Sequence, residues 1–75
     1  MKTYRKTATV DAKLFEKGDE DGFTEVREGV TRPYVSTLEN QSYLGRFGEQ
    51  YLCVGIEGEK WLIDREIFEK TYKEV

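Results

Sequence analysis

The sequence predicts an α+β domain, a bent antiparallel β-sheet or small open barrel of four to six short strands with one C-terminal helix. Three patterns predict it. Residues 4–14 alternate apolar and polar; residues 50–63 form an apolar run interrupted at Gly58; and residues 67–75 repeat apolar side chains at helical spacing.

From Tyr4 to Leu14 the even positions read Tyr, Lys, Ala, Val, Ala, Leu and the odd ones Arg, Thr, Thr, Asp, Lys. That is the period of a strand with one buried and one wet face, and it predicts a strand over 4–14. An acidic loop, 15–22, follows, with Gly18 and Gly22 bracketing Asp19-Glu20-Asp21. Phe23 to Val30 alternates weakly and fits either a short strand or irregular chain. Pro33 has no amide to give a ladder, which argues against a central strand at that residue. Beyond it Tyr34, Ser36 and Leu38 share one face of a predicted strand 34–39, and Asn40-Gln41 turns into a strand 42–44.

Residues 50–56 hold Tyr51, Leu52, Cys53, Val54 and Ile56, apolar on both faces, and read as a central strand. Glu57-Gly58 supplies a hairpin connection to a strand 60–63. Asp64 stands where a helix N-cap is expected, ahead of a helix 65–74 whose stripe is Ile67, Phe68, Thr71, Tyr72 and Val75. Glu66–Lys70 and Glu69–Lys73 are spaced as stabilising i,i+4 pairs.

Composition narrows function by exclusion. A chain of 75 residues fits one domain with a thin core. It has one cysteine and no histidine, which excludes an internal disulfide, a paired-cysteine zinc site and every Ser-His or Cys-His arrangement. Cys53 in its apolar strand reads as a buried small hydrophobe. The carboxylates are scattered, so no enzyme activity and no cofactor are expected. Laid on a calcium-loop pattern, Asp19, Asp21, Gly22, Glu25 and Glu28 match, but Lys17 puts an ammonium at the first ligand position. No metal is therefore expected. No apolar run approaches membrane-spanning length, and Thr7 to Lys13 is too polar for a signal core, so the expected location is cytoplasmic and unanchored.

The net charge is −3, distributed unevenly: residues 1–13 carry four bases and one acid, residues 14–31 six acids and two bases. An acidic total disfavours non-specific binding to nucleic acid. The expected function is a small non-catalytic binding domain for protein–protein interaction or inhibition. The alternative is a nucleic-acid-binding module using the basic first strand and surface aromatics. Tyr34, Arg46 and Phe47, beside proline or between glycines, are the candidate binding residues, whereas Tyr51 and Trp61 read as core.

Several segments resemble a known family. Tyr4-Arg5-Lys6 leading to Val10, Ala12 and Phe15, then Thr37-Leu38-Glu39, Tyr51 to Gly55, Gly58-Glu59 and Ile67 to Tyr72 are similar to the small phage and prophage proteins named for a Pro-Gly-Asp-Tyr-Gly (PGDYG) motif. The likeness covers roughly 4–15 and 34–72; of the naming motif Tyr51 is kept, preceded by Gly48-Glu49-Gln50. The resemblance implies a bacterial, phage-associated origin and brings no activity or catalytic residue.

Overall fold

The computed structural model describes residues 1–4 and 9–74. In chain order the elements are β1 (Asp11–Leu14), β2 (Gly22–Arg27), β3 (Val30–Ser36), β4 (Ser42–Leu44), β5 (Gln50–Val54), β6 (Lys60–Asp64) and α1 (Arg65–Thr71). The class is α+β with antiparallel strands and a C-terminal helix. Among the described residues the strands divide, however, between two three-stranded sheets, β1-β5-β6 and β2-β3-β4, and close no barrel. The second sheet is an insertion between β1 and β5.

Register explains the layers. Leu14, Tyr51 and Ile63 stand abreast, as do Ala12, Cys53 and Trp61; Lys13, Leu52 and Leu62 form a row on the opposite face. The Leu52–Leu62 face turns toward the second sheet, where Val35, Phe15 and Leu52 make the buried cluster with Phe47 and Leu62 packed against it. The Tyr51 face receives the helix, through a Tyr51–Phe68 stack with ring centroids 4.1 Å apart. β5 lies between β1 and β6 and is covered on both sides, so its adjacent residues Leu52 and Cys53 are both buried.

Several boundaries differ from the sequence reading, each for a local reason. The first ladder covers only Asp11–Leu14 of the predicted 4–14; Arg5, Lys6, Thr7 and Ala8 lie outside the described residues. Asp11 pairs with Val54, and Gly55 then opens the turn to β6 by donating its N–H to the Glu59 carbonyl (2.8 Å). For the same reason β5 ends at Val54 and not at 56. The acidic loop stops at Asp21, because Gly22 opens β2, an unassigned strand that pairs along β3. β3 runs Val30–Ser36 in place of 34–39, since Thr37 begins a turn that encloses Leu38 and Glu39.

Pro33 sits inside β3, the central strand of its sheet, against expectation. Its carbonyl accepts the Gly45 N–H (2.8 Å), one step past the last β3–β4 pair, Tyr34–Leu44. In an antiparallel strand a residue's nitrogen and oxygen face the same neighbour, so the missing amide falls where the β4 ladder has ended. The Gly45 carbonyl it leaves unserved receives a long bond from Arg32 Nε at 3.5 Å.

The helix is shorter than the predicted 65–74, because Tyr72 is already extended (φ −116°, ψ 148°). Asp64 occupies the N-cap position without capping. Its carboxylate instead accepts from Arg46 Nη2 (2.9 Å) and Gln50 Nε2 (3.3 Å), while the Glu49 carbonyl takes the Arg65 N–H (3.0 Å). None of the helix residues is buried: Ile67 is 57% exposed, Phe68 half-buried, and Val75 outside the described residues. Two helical turns touch the sheet on one narrow line, Phe68 over Tyr51 with Tyr72 stacked on Phe68 at 4.8 Å. Among the described residues the helix ion pair is Arg65–Glu69, not Glu66–Lys70, and the early end removes Lys73 from helical spacing with Glu69. Tyr51 and Trp61, expected in the core, are half-buried at the sheet face.

Two side-chain clasps hold the acidic loop. Asp19 accepts from Lys13 Nζ (2.9 Å) and the Glu16 N–H (3.0 Å), which hold its carboxyl below the usual range. Asp21 accepts the Ser36 N–H (2.8 Å) and Lys60 Nζ (3.2 Å to each oxygen), tying the end of β3 to the start of β6. The Ser36 bond is the larger cause of its lowered pKa, with Lys60 adding to it against some desolvation.

Both depressed carboxyls stabilise the fold above their unfolded pKa of about 4, and that stabilisation disappears as pH falls through their folded values. Asp21→Asn is therefore expected to flatten the fall in stability between about pH 5 and pH 2, measured by urea unfolding at stepped pH. An unchanged pH slope would show that Asp21 is not a titrating clasp. Gly45 tests the core: a Cβ there would strike the Phe15 ring and come within 2.8 Å of Leu62 Cδ1. Gly45→Ala should cost about 1–3 kcal/mol by overpacking, read as a lower melting temperature.

Candidate functional site

The three sequence-selected residues occupy separate places. Tyr34 lies in β3 opposite Gly22 and is half-buried, with its ring laid so close over Gly22 that a Cβ there would meet the hydroxyl at 2.9 Å. Strand alternation puts it on the face of the second sheet opposite to Val35. Phe47 belongs to the bend between β4 and β5 and packs with Phe15 at 5.0 Å and edge-on with Phe23 at 6.4 Å, on the Val35 side. Arg46 is exposed, but both ends of the residue are engaged. Its N–H donates to Gln50 Oε1 (2.7 Å) and its guanidinium to Asp64 (2.9 Å). The structure thus brings Arg46 and Phe47 together in one bend and leaves Tyr34 apart.

That bend is held from every side. Gly45 gives its N–H to Pro33, Gly48 (φ 77°) gives its own to the Phe15 carbonyl at 2.8 Å, and Gln50, only 8% exposed, receives Arg46. The two glycines meet packing and torsional needs and leave no free hinge.

Exposed apolar side chains lie at the N-terminus (Met1, Tyr4), on the second sheet (Phe23, Val26 and Val30), on the helix (Ile67) and at two turns. Leu38 is 65% and Ile56 83% exposed, and each sits at the second position of a turn built to the same plan. In 37–41 the Thr37 N–H donates to the Gln41 carbonyl (2.8 Å) and the Asn40 N–H to the Thr37 carbonyl (3.2 Å). In 55–59 the Gly55 N–H donates to Glu59 (2.8 Å) and the Gly58 N–H to Gly55 (3.0 Å). The fourth residue has positive φ in both, Asn40 at 62° and Gly58 at 81°. A side chain secures the third amide in both: Thr37 Oγ1 takes the Glu39 N–H (3.2 Å) and Glu59 Oε2 the Glu57 N–H (3.0 Å). Each turn therefore presents an aliphatic residue followed by a glutamate, Leu38-Glu39 and Ile56-Glu57. The sequence reading placed both aliphatics on strands. The signal that marks them is the pair Thr-Leu-Glu-Asn and Gly-Ile-Glu-Gly, with a residue tolerant of positive φ in fourth place.

A groove of about 710 Å³ runs between residues 9–12 and the Tyr51–Phe68–Tyr72 stack. The stack is fixed at its base, where the Tyr51 hydroxyl donates to Glu69 Oε2 (3.1 Å), a bond that raises the phenol pKa above its usual value. Cys53 is fully buried. The loop carboxylates diverge, Asp19 to Lys13, Asp21 to Lys60 and Glu25 to the Gly29 N–H, and among the described residues no three such groups converge on a metal position. No described helix is long and apolar enough to cross a membrane.

Separating Arg46 from Phe47 distinguishes surface from support. Arg46→Ala removes one exposed ion pair and should cost less than about 1 kcal/mol. Phe47→Ser removes a half-buried ring and should cost roughly 2 kcal/mol, a fall of about 10 °C in melting temperature for a domain this size. Equal melting temperatures for the two variants would contradict the packing described for Phe47. Comparison with known proteins finds no match to this chain among family models, curated proteins or solved structures.

Proposed function

We propose that this domain is a non-catalytic protein-binding module that acts by interaction or inhibition. The observation that carries the reading is the exposure of Leu38 and Ile56 at turn centres. Turns favour Gly, Pro, Asn, Asp and Ser there for conformational reasons, and neither aliphatic side chain contributes to the core. Loops on a rigid sheet are the usual carriers of binding residues, and these two are rigidly hydrogen-bonded. A phage-associated bacterial origin and a cytoplasmic location belong to the same proposal and rest on the sequence alone.

A second reading, binding of single-stranded nucleic acid, draws on the aromatic stack lying beside residues 9–12, the end of the basic N-terminal segment. It meets an opposing charge: the chain is acidic, and in that groove Asp11 and Glu74 outnumber the one base, Lys73.

The double variant Leu38→Ser/Ile56→Ser discriminates. Replacing exposed side chains should leave stability within about 0.5 kcal/mol of the parent. Immobilised parent and variant are then compared for proteins retained from an extract of the source cell, and the variant is expected to lose retained species. Identical retained sets would sink the proposal. Fluorescence anisotropy with a labelled oligonucleotide, titrated at two salt concentrations, tests the second reading, and a salt-sensitive rise would favour it.

A further inference from the structure

We infer that the two matched turns form one docking end, and that its partner is a protein surface carrying lysines and arginines around an apolar recess. The inference rests on the protein-binding reading and adds to it the location and the partner's chemistry.

Three observations bring the turns together. Asp21 binds the Ser36 N–H and Lys60 Nζ at once, so the last residue of β3 and the first of β6 lie within one lysine side chain's reach. Leu38 follows Ser36 by two residues, and Ile56 precedes Lys60 by four across a closed hairpin turn. β3 and β6 also share the core through Val35 and Leu62, which fixes the two turns at the same end of the body. The β2–β3 turn at Glu28-Gly29 leaves from the far end of β3 and is excluded from this surface.

The charge of that end selects the partner. Beside Leu38 and Ile56 stand Glu39, Glu57 and Glu59, while the nearby lysine, Lys60, is already spent on Asp21. Glu39 and Glu57 make no ion pair among the described residues, and the Glu59 carboxylate accepts the Glu57 N–H (3.0 Å), keeping its charge. Two aliphatic anchors inside a carboxylate rim are complementary to an apolar recess with a cationic rim, and they repel phosphate. The anchors are ready to bind, since both turns are closed by paired backbone hydrogen bonds before any partner arrives.

Photo-crosslinking gives the test. p-Benzoylphenylalanine is placed singly at positions 38, 56, 26 and 66 of the full chain, each variant is checked for an unchanged melting temperature, and each is irradiated in extract of the source cell. The expected result is one protein captured from 38 and from 56, but not from 26 in the β2 strand or 66 on the helix. The captured peptide should be rich in Lys and Arg. Capture should fall at least tenfold in the Glu39→Lys/Glu57→Lys background and in 0.5 M NaCl. Capture that ignores charge reversal, or that joins a second copy of this chain or a nucleic acid, overturns the inference. Capture from 26 or 66 alone overturns it while sparing the protein-binding reading, whereas no protein captured from any of the four positions overturns both.

Discussion

The fold depends on how Phe15 is seated. It is the residue at which the chain leaves the first sheet, and its backbone completes that sheet by donating to the Gln50 carbonyl at 2.8 Å. Its carbonyl then accepts from Gly48, and its ring, fully buried, fills the space between the sheets beside Val35, Leu52 and Phe47. The chain returns from the second sheet at Gly45, against the same ring. One aromatic residue thus joins departure and return, and a β-carbon at Gly45 would prise them apart. Among the described residues the buried hydrophobic side chains are Phe15, Val35, Leu52 and Cys53, with Pro33 buried on the same face of β3 as Val35, so each carries a large share of a small hydrophobic total.

A core that thin explains the density of polar clasps around it. Asp21 joins the two sheets, Asp19 holds the first loop, and Gln50 with Asp64 binds the bend to the start of the helix. Among the described residues no buried side-chain nitrogen or oxygen lacks a partner. Exposed ion pairs contribute little singly. The carboxylate-to-amide bonds matter more here, because they settle backbone groups that no ladder reaches: Ser36 at the end of β3 and Glu16 just beyond β1.

What the sequence made legible was periodicity, and what it hid was pairing. The apolar run at 50–54 reads as a central strand because both faces are apolar, and β5 is central. The helix is visible in its stripe, yet its length is not, since nothing local announces that Tyr72 turns extended to keep stacking on Phe68. β2 escaped because its residues 23–27 are all exposed, so burial imposes no alternation on Thr24, Glu25 and Val26. Pro33 misled because its missing amide falls at the very end of the β3–β4 pairing, where the Gly45 carbonyl takes a long bond from Arg32 in its place. Asp64 misled in the opposite sense: it has the composition of a cap, but the bend that delivers Arg46 and Gln50 to it exists only in three dimensions. Arg46 and Phe47, chosen for flanking glycines, prove to be tied into the fold, because Gly45 serves close packing and Gly48 a positive φ.

The distribution of exposed apolar groups follows from the same architecture. Each sheet of a two-layer domain has one inner face, and here the outer face of the first sheet also receives the helix through Tyr51. On the second sheet Phe23, Val26, Val30, Tyr43 and Leu44 remain partly exposed, but strand pairing fixes where they stand. The turns are different, because their backbone is satisfied internally and the side chains of Leu38 and Ile56 lie largely in solvent. An aliphatic residue at such a position gains nothing for folding and exposes apolar surface to water in the free protein. Its occurrence twice, in the same register of two turns of the same construction, each followed by a glutamate, is therefore a feature that folding does not explain, and burial against another surface is the physical process that removes its cost.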